Sequence, residues 1–280
     1  GRTPRRRARL SPPMERLYLD HNATTPLRAE ARAEYLRELD RLGGNPSSVH
    51  TSGRAARVVL DLARERAAAA LGVHEDELVF TSGGTESVHL ALLGALKVAP
   101  AGGLVTTVVE HSAVLGAAEL AGTMGRPVAH VGVDAAGRVD LAQLVSRARD
   151  GAALVSLQTA NNEVGTVHPV GKLVAELETR GERPLVHTDA VQALGRVPVE
   201  LRAWRVDLAS FSAHKLGGPL GVGLLYKRKG VRLAPLLVGG GQEGGLRPGT
   251  ENVPAIAAAA CALELAVAER AQQAVAWRAS

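Results

Sequence analysis

The chain has 280 residues, 46% apolar and 22% charged, a profile that suits one large or two ordinary globular domains with a sizeable core. Its net charge of +5 sits in a tail holding Arg2, Arg5, Arg6, Arg7 and Arg9; without those five, 28 basic residues face 28 acidic ones, so the basic patch of a nucleic-acid binder is missing. No run approaches the roughly 18 to 20 consecutive apolar residues of a membrane helix, no secretory pattern opens the chain, and one cysteine rules out a disulfide framework or a multi-cysteine zinc site.

These features predict a cytoplasmic or organelle-matrix protein with no membrane partner. Residues 1–14 read as a disordered Arg-rich tail. From about residue 54 helical and strand-like segments alternate. The stretch 54–71 reads as a helix with Val58, Val59 and Leu62 on one stripe, and "ELVF" (77–80) as a short strand. "TSGGTES" (81–87) then opens a helix over 86–97. "LVTTVV" (104–109) is a strand, 113–122 a helix, "PVAHVGV" (127–133) a strand and "LAQLVSRAR" (141–149) a helix. "ALVSLQ" (153–158), "LVHTD" (185–189), "VDLASFS" (206–212) and "GVGLLY" (221–226) continue as strands, with a helix at 172–181 between the first two. Cys261 lies in an alanine-rich helical pattern and reads as a small core residue rather than a reactive thiol.

Strands that are apolar throughout and separated by helices predict a buried, mostly parallel sheet covered on both faces, a three-layer α/β/α sandwich. Ligands of such sheets gather at the carboxyl ends of the strands. Those ends carry the small residues of 81–87, with the Ser82 and Thr85 hydroxyls; His111 in "EHSAV"; Asn161, Asn162 and Glu163; Asp189, with Gln192 three residues on; and Lys215 in "SFSAHKLGG". The 81–87 helix start suits a phosphate through its amides and dipole, and equally describes an ordinary N-cap. Asp189 has its own plain reading, as the cap of a following helix. No His-Glu-x-x-His or similar spacing points to a metal.

Together these residues meet the demands of pyridoxal phosphate: a lysine amine for the aldehyde, a carboxylate for the pyridinium nitrogen, and amides and hydroxyls for the phosphate. Lys97 closes an amphipathic helix, Lys172 lies near a helix start, and Lys227 and Lys229 belong to a charged turn. Lys215 alone stands at the end of a predicted core strand, where partial desolvation depresses its pKa.

The segments "YLDHNATTP", "GNPSSVHTSGR", "TSGGTES", "EHSAV", "ANNEVGTV", "HTDAVQALG", "SFSAHKLGGPLGVGLLY" and "GGGQEGGLRPGTENVP" resemble, in order and spacing over residues 17–265, the cysteine desulfurases of the class-V aminotransferase group. Selenocysteine lyases are almost as similar. The resemblance implies a fold-type I pyridoxal 5'-phosphate enzyme that converts L-cysteine to L-alanine and passes the sulfur on as a persulfide, for iron–sulfur clusters or other sulfur cofactors. It gives Lys215 the cofactor linkage, His111 the stacking on the ring, Asp189 the pyridinium nitrogen, Gln192 the phenolic oxygen and Asn162 a place beside substrate and cofactor. Gly84, Thr85, Ser212 and His214 bind the phosphate, and Thr250 reaches the phosphate of a neighbouring subunit. The implied partners are a second copy in a homodimer and a sulfur-acceptor or scaffold protein.

The resemblance also divides the chain into a cofactor-binding large domain at 15–265 and, at 266–280, the start of a linker helix to a C-terminal small domain that is missing. In the family that small domain carries the attacking cysteine and the carboxylate-gripping arginine, and Cys261 is too close to the Gly-Thr motif to be that cysteine. Gly244 stands where arginine is usual, and Leu220 where lysine is common. Another class-V aminotransferase chemistry and a non-catalytic cofactor-binding role are the other readings.

Overall fold

The computed structural model describes residues 17–179 and 183–279, so the expected disordered tail at 1–14 lies outside the described residues. In chain order the elements are α1 (Ala29–Arg41), α2 (Thr51–Leu71), β1 (Leu78–Thr81), α3 (Gly84–Val98), β2 (Gly103–Thr107), α4 (Ser112–Thr123), β3 (Val128–Val131) and α5 (Leu141–Arg149). Then follow β4 (Ala152–Ser156), α6 (Val170–Glu178), β5 (Leu185–Asp189), α7 (Leu201–Trp204), β6 (Leu208–Ser212), β7 (Gly223–Lys227) and α8 (Val253–Ala279).

The strands form one seven-stranded sheet in the order β1-β7-β6-β5-β4-β2-β3. Successive side chains of a strand point to opposite faces, and here both faces are apolar. Phe80, Val105, Val155, Val186, Phe211 and Tyr226 pack on one side with α2, α5, α6 and α8. Val79, Leu104, Leu154, Leu208 and Leu225 pack on the other with α3 and α4. Burial on both faces is why the strands read as continuous apolar runs, and it gives the three-layer α/β/α sandwich.

Six strands point the same way, and β7 alone runs antiparallel, paired with β1 and β6. Residues 213–222 between β6 and β7 are too few for the crossover that a parallel neighbour needs, so the chain turns straight back, and Lys215 lies in that turn. The outer edge of β1 is closed by side chains. Glu243 accepts the Phe80 N–H at 2.8 Å, Arg64 donates to the Leu78 carbonyl at 2.8 Å, and the two side chains pair with each other.

Two expectations are corrected. On α2, Val59 is buried but Val58 and Leu62 are 56% and 51% exposed; the buried face includes Ala56, Val59, Leu60, Ala63 and Ala67, and its alanines let α8 pack alongside. α1, absent from the periodicity reading, packs its Ala31 against Ala258 and Ala262 of α8. The short α7 (Leu201–Trp204) is likewise absent from the sequence reading; the strands and the other helices fall where the sequence placed them, with ends displaced by one or a few residues.

A buried histidine ties the middle of the sheet. His187 of β5 bonds the Ser156 hydroxyl of β4 through Nδ1 and the Ser210 hydroxyl of β6 through Nε2, both at 2.9 Å. Burial lowers its pKa to about 3, so the ring stays neutral, one nitrogen donating and the other accepting. Replacing it by His187→Leu strands two buried hydroxyls and is expected to lower unfolding stability by about 1–3 kcal/mol in urea titrations at pH 7. Because the folded pKa lies below the unfolded one, the stability tied to His187 is complete above pH 6.5 and is lost as pH falls toward 3. The variant is expected to lack that slope.

Candidate functional site

A cavity of about 240 Å³ opens at the carboxyl edge of the sheet, lined by Gly84, Thr85, His111, Asn162, Asp189, Gln192, Ser212, His214 and Lys215, with Gln158 and small side chains between them. The lining residues arrive from five strand ends: β1 leads to Gly84 and Thr85, β2 to His111, β4 to Asn162, β5 to Asp189 and Gln192, and β6 to Ser212, His214 and Lys215. Nine of the ten expected site residues thus meet in one pocket. Thr250 does not; it is exposed, just ahead of α8, outside the cavity of its own chain.

The "YLDHNATTP" segment crosses this edge and holds the site together. The Asn22 backbone carbonyl accepts from Gln192 Nε2 at 2.9 Å and from Lys215 Nζ, which also donates to the Ala23 carbonyl at 2.8 Å. The Asn22 side chain donates to the Asn162 carbonyl at 3.2 Å, and His214 Nδ1 meets the Thr24 hydroxyl at 3.0 Å. Thr25 takes the His214 carbonyl through its amide and hydroxyl, at 3.0 and 2.6 Å, and its hydroxyl oxygen accepts the Gly217 N–H at 2.7 Å. Gly217 sits at φ +78°, where a Cβ would press on Arg28 Cγ at 2.5 Å, so the turn after Lys215 requires glycine.

At the opposite end, α3 begins at Gly84 with first-turn amides that the helix itself cannot satisfy. A Cβ on Gly84 would stand 3.0 Å from Val191 Cγ2 and 3.5 Å from Ser212 Cβ, filling the cradle between helix start and β6. Glu86 does cap this turn, accepting the Ser82 N–H at 2.5 Å and pairing with Arg247 at 3.2 Å. The N-cap itself is Gly83, which has no side-chain cap, so no side-chain oxygen of the N-cap occupies the first-turn amides. Asp189 does not cap a helix: its Oδ1 accepts the Val191 N–H at 2.9 Å within a run of turns. His111 is the N-cap of α4, with Nδ1 accepting the Ala113 N–H at 3.1 Å.

Reading the sequence missed Glu110, although it is the first letter of "EHSAV". Only 5% exposed, it accepts the Gln158 N–H at 2.8 Å through Oε1, while Oε2 is buried without a partner. Burial, reinforced by the nearby Asp189 carboxylate, pushes its pKa to about 8. Asp189 is also raised by burial, but the Val191 amide, His111 and Lys215 pull against that rise. Of the two buried carboxyls, Glu110 therefore keeps the proton, and Asp189 is the better placed to carry charge. Lys215 is half-buried; burial, then the Arg196 cation, lower its pKa, while Asp20 and Asp189 oppose the change. Gln192 Oε1 is a further buried oxygen with no partner.

Residues 17–279 match the family profile described as aminotransferase class-V. A putative cysteine desulfurase IscS 1 of Bacillus subtilis is 43% identical over 262 residues, covering 92% of this chain and 68% of the relative. A cysteine desulfurase of Cereibacter sphaeroides is 48% identical over 257 residues, covering 91% of this chain and 66% of its own length. Among solved structures, a NifS-like protein superposes with a TM-score of 0.89 at 42% identity, over 92% of this chain and 71% of that one. SspA in complex with cysteine superposes at 0.82 and 33% identity, over 88% and 72%. The chain spans about two thirds of the length of these curated relatives, and as little as 63% of others.

Because Glu110 titrates higher in the folded chain than in the unfolded one, the stability tied to its proton is complete below about pH 4.5 and is lost as pH rises through about 8. Glu110→Gln keeps the shape without the ionisation. Relative to this variant, the wild-type chain is expected to lose stability on the order of a few kcal/mol between pH 5 and pH 9 in urea titrations.

Proposed function

The chain belongs to the class-V aminotransferase family and within it to the cysteine desulfurases, a family generally dependent on pyridoxal phosphate; on that premise we propose that its strand-end cavity holds pyridoxal 5'-phosphate and works on L-cysteine. The observation that carries this reading is the meeting of Lys215, Asp189, His111 and the α3 start in one cavity, with an unpartnered Gln192 oxygen and a glycine cradle beside them.

The residues fit the group at each end. Gly84, Thr85, Ser212 and His214 offer amides, hydroxyls and an imidazole to the phosphate. In this reading Asp189 would serve the pyridinium nitrogen, His111 the ring face, Gln192 the phenolic oxygen, and Asn162 would stand beside the substrate. The bound cofactor supplies an electron-withdrawing ring for the amino acid's α-carbon. Lys215, whose Nζ is held by the Asn22 and Ala23 carbonyls, would be the amine that links the cofactor; its lowered pKa favours the uncharged form, which would hold the α-proton on Nζ.

The single cysteine of the chain is buried in α8, and burial raises its thiol pKa. Sulfur removal is therefore assigned to a thiol from another chain or segment: L-cysteine and RSH give L-alanine and RSSH, with hydrogen and electrons balanced. A homodimer is part of the same reading: the exposure of Thr250 outside its own cavity supports its assignment to a neighbouring copy's phosphate site.

Incubation of the chain with pyridoxal phosphate and L-cysteine in D₂O is expected to place deuterium at Cα by NMR, and added dithiothreitol to yield alanine. Lys215→Arg is expected to slow the exchange roughly 100-fold or more. A wild-type chain that exchanges no faster than the protein-free blank would defeat the proposal.

A further inference from the structure

A second cavity, of about 710 Å³, meets the first at Lys215 and is lined by His21, Asn22, Arg28, Arg196, Lys215 and Gln273 among others. It holds two guanidinium groups with different surroundings. Arg28 pairs with Glu269 at 2.7 Å. Arg196 has no carboxylate within ion-pair distance among the described residues; its side chain reaches instead to the backbone carbonyls of Gln192, at 3.3 Å, and of Lys215, at 3.5 Å. A half-buried guanidinium without an acid partner, set beside another cation, loses stability through burial and repulsion. Its position makes sense through what it does to its neighbours.

We propose that Arg196 is a positioning residue for Lys215, joining the Gln192 turn to the Lys215 turn through their carbonyls and holding a permanent positive charge beside the lysine amine. Gln192 and Lys215 already share the Asn22 carbonyl on one side. Arg196 ties the backbones of the same two residues, so that their turns are joined by a side chain as well as by the Asn22 carbonyl. A neighbouring cation disfavours a second ammonium, which is one of the ways a lysine is activated.

The other charged and titratable groups around Lys215 pull in different directions. Asp20 on the crossing segment and Asp189 on β5 favour the ammonium. His214 lies next to Lys215, and burial first and then Lys215 disfavour its cationic form. His21 lines the wider cavity, His111 the smaller one, and the Arg28 charge is met by Glu269. Arg196 is the permanent cation that opposes both aspartates.

The inference rests on the reading of Lys215 as the cofactor lysine, but it is tested without cofactor, so it can fail while that reading stands. Limited acetylation of the cofactor-free chain by acetic anhydride across a range of pH, read by peptide mass spectrometry, gives the titration midpoint of each lysine. Lys215 is expected to titrate below the exposed Lys97 of the same molecule. Arg196→Met is expected to raise the Lys215 midpoint by about half a pH unit or more, and Arg196→Lys to restore it. The Lys97 midpoint stays put in both. A wild-type Lys215 midpoint at or above that of Lys97, a comparison that needs no variant, overturns the proposal, as does an Arg196→Met chain with an unchanged Lys215 midpoint.

Discussion

The site depends on one short stretch of backbone. Asn22 to Thr25 cross the carboxyl edge of the sheet and bond to Asn162, Gln192, His214 and Lys215, residues carried by the ends of three different strands. Strand ends are set only as well as their turns, and the turn after β6 has no helix to steady it. The Thr25 hydroxyl bridges the His214 carbonyl and the Gly217 amide, and Arg28 reaches the Gly217 and Leu216 carbonyls from the next turn of the segment. Residues nearly 200 positions apart are joined in this way, and the lysine amine is presented to the cavity by backbone carbonyls rather than by a side-chain partner.

Charge is arranged around that amine as deliberately as shape. Two carboxyls are buried at the floor, but one donor amide and no cation serve Glu110, whereas Asp189 has an amide, His111 and Lys215 within its field. The proton therefore stays on Glu110, and the negative charge is kept for Asp189. At Lys215 the aspartates and Arg196 act in opposition, and burial decides the direction. The buried His187 strut, neutral at physiological pH, fixes β5 between β4 and β6 directly below Asp189 without adding charge to the floor. Packing does the rest: both faces of the sheet are covered by helices, so polar chemistry is confined to the edge.

Much of this is readable in the residues. Buried strands announce themselves because both faces need apolar side chains, and "LVHTD" and "VDLASFS" place Asp189 and Lys215 at their ends with no further information. The order of β7 was less accessible, since direction depends on the length of the 213–222 link rather than on the strand's composition. Helix α2 misled because large aliphatics at Val58 and Leu62 suggest the packing face, whereas Val59 and Leu60 with a row of alanines form it. Glu110 was overlooked because a glutamate beside a histidine normally reads as solvated, and only its place behind Gln158 reveals the burial. The role of "YLDHNATTP" came from resemblance alone until the fold showed which carbonyls it lends to the lysine.

The central claim, that the strand-end cavity takes pyridoxal phosphate through Lys215, has a direct chemical measurement. The chain is mixed with pyridoxal phosphate, reduced with sodium borohydride, and digested for peptide mass spectrometry. The account predicts the pyridoxyl-phosphate mass on the peptide bearing Lys215, in preference to Lys97, Lys172, Lys227 and Lys229. Label spread over the exposed lysines with none concentrated on Lys215, or no label at all, would contradict it.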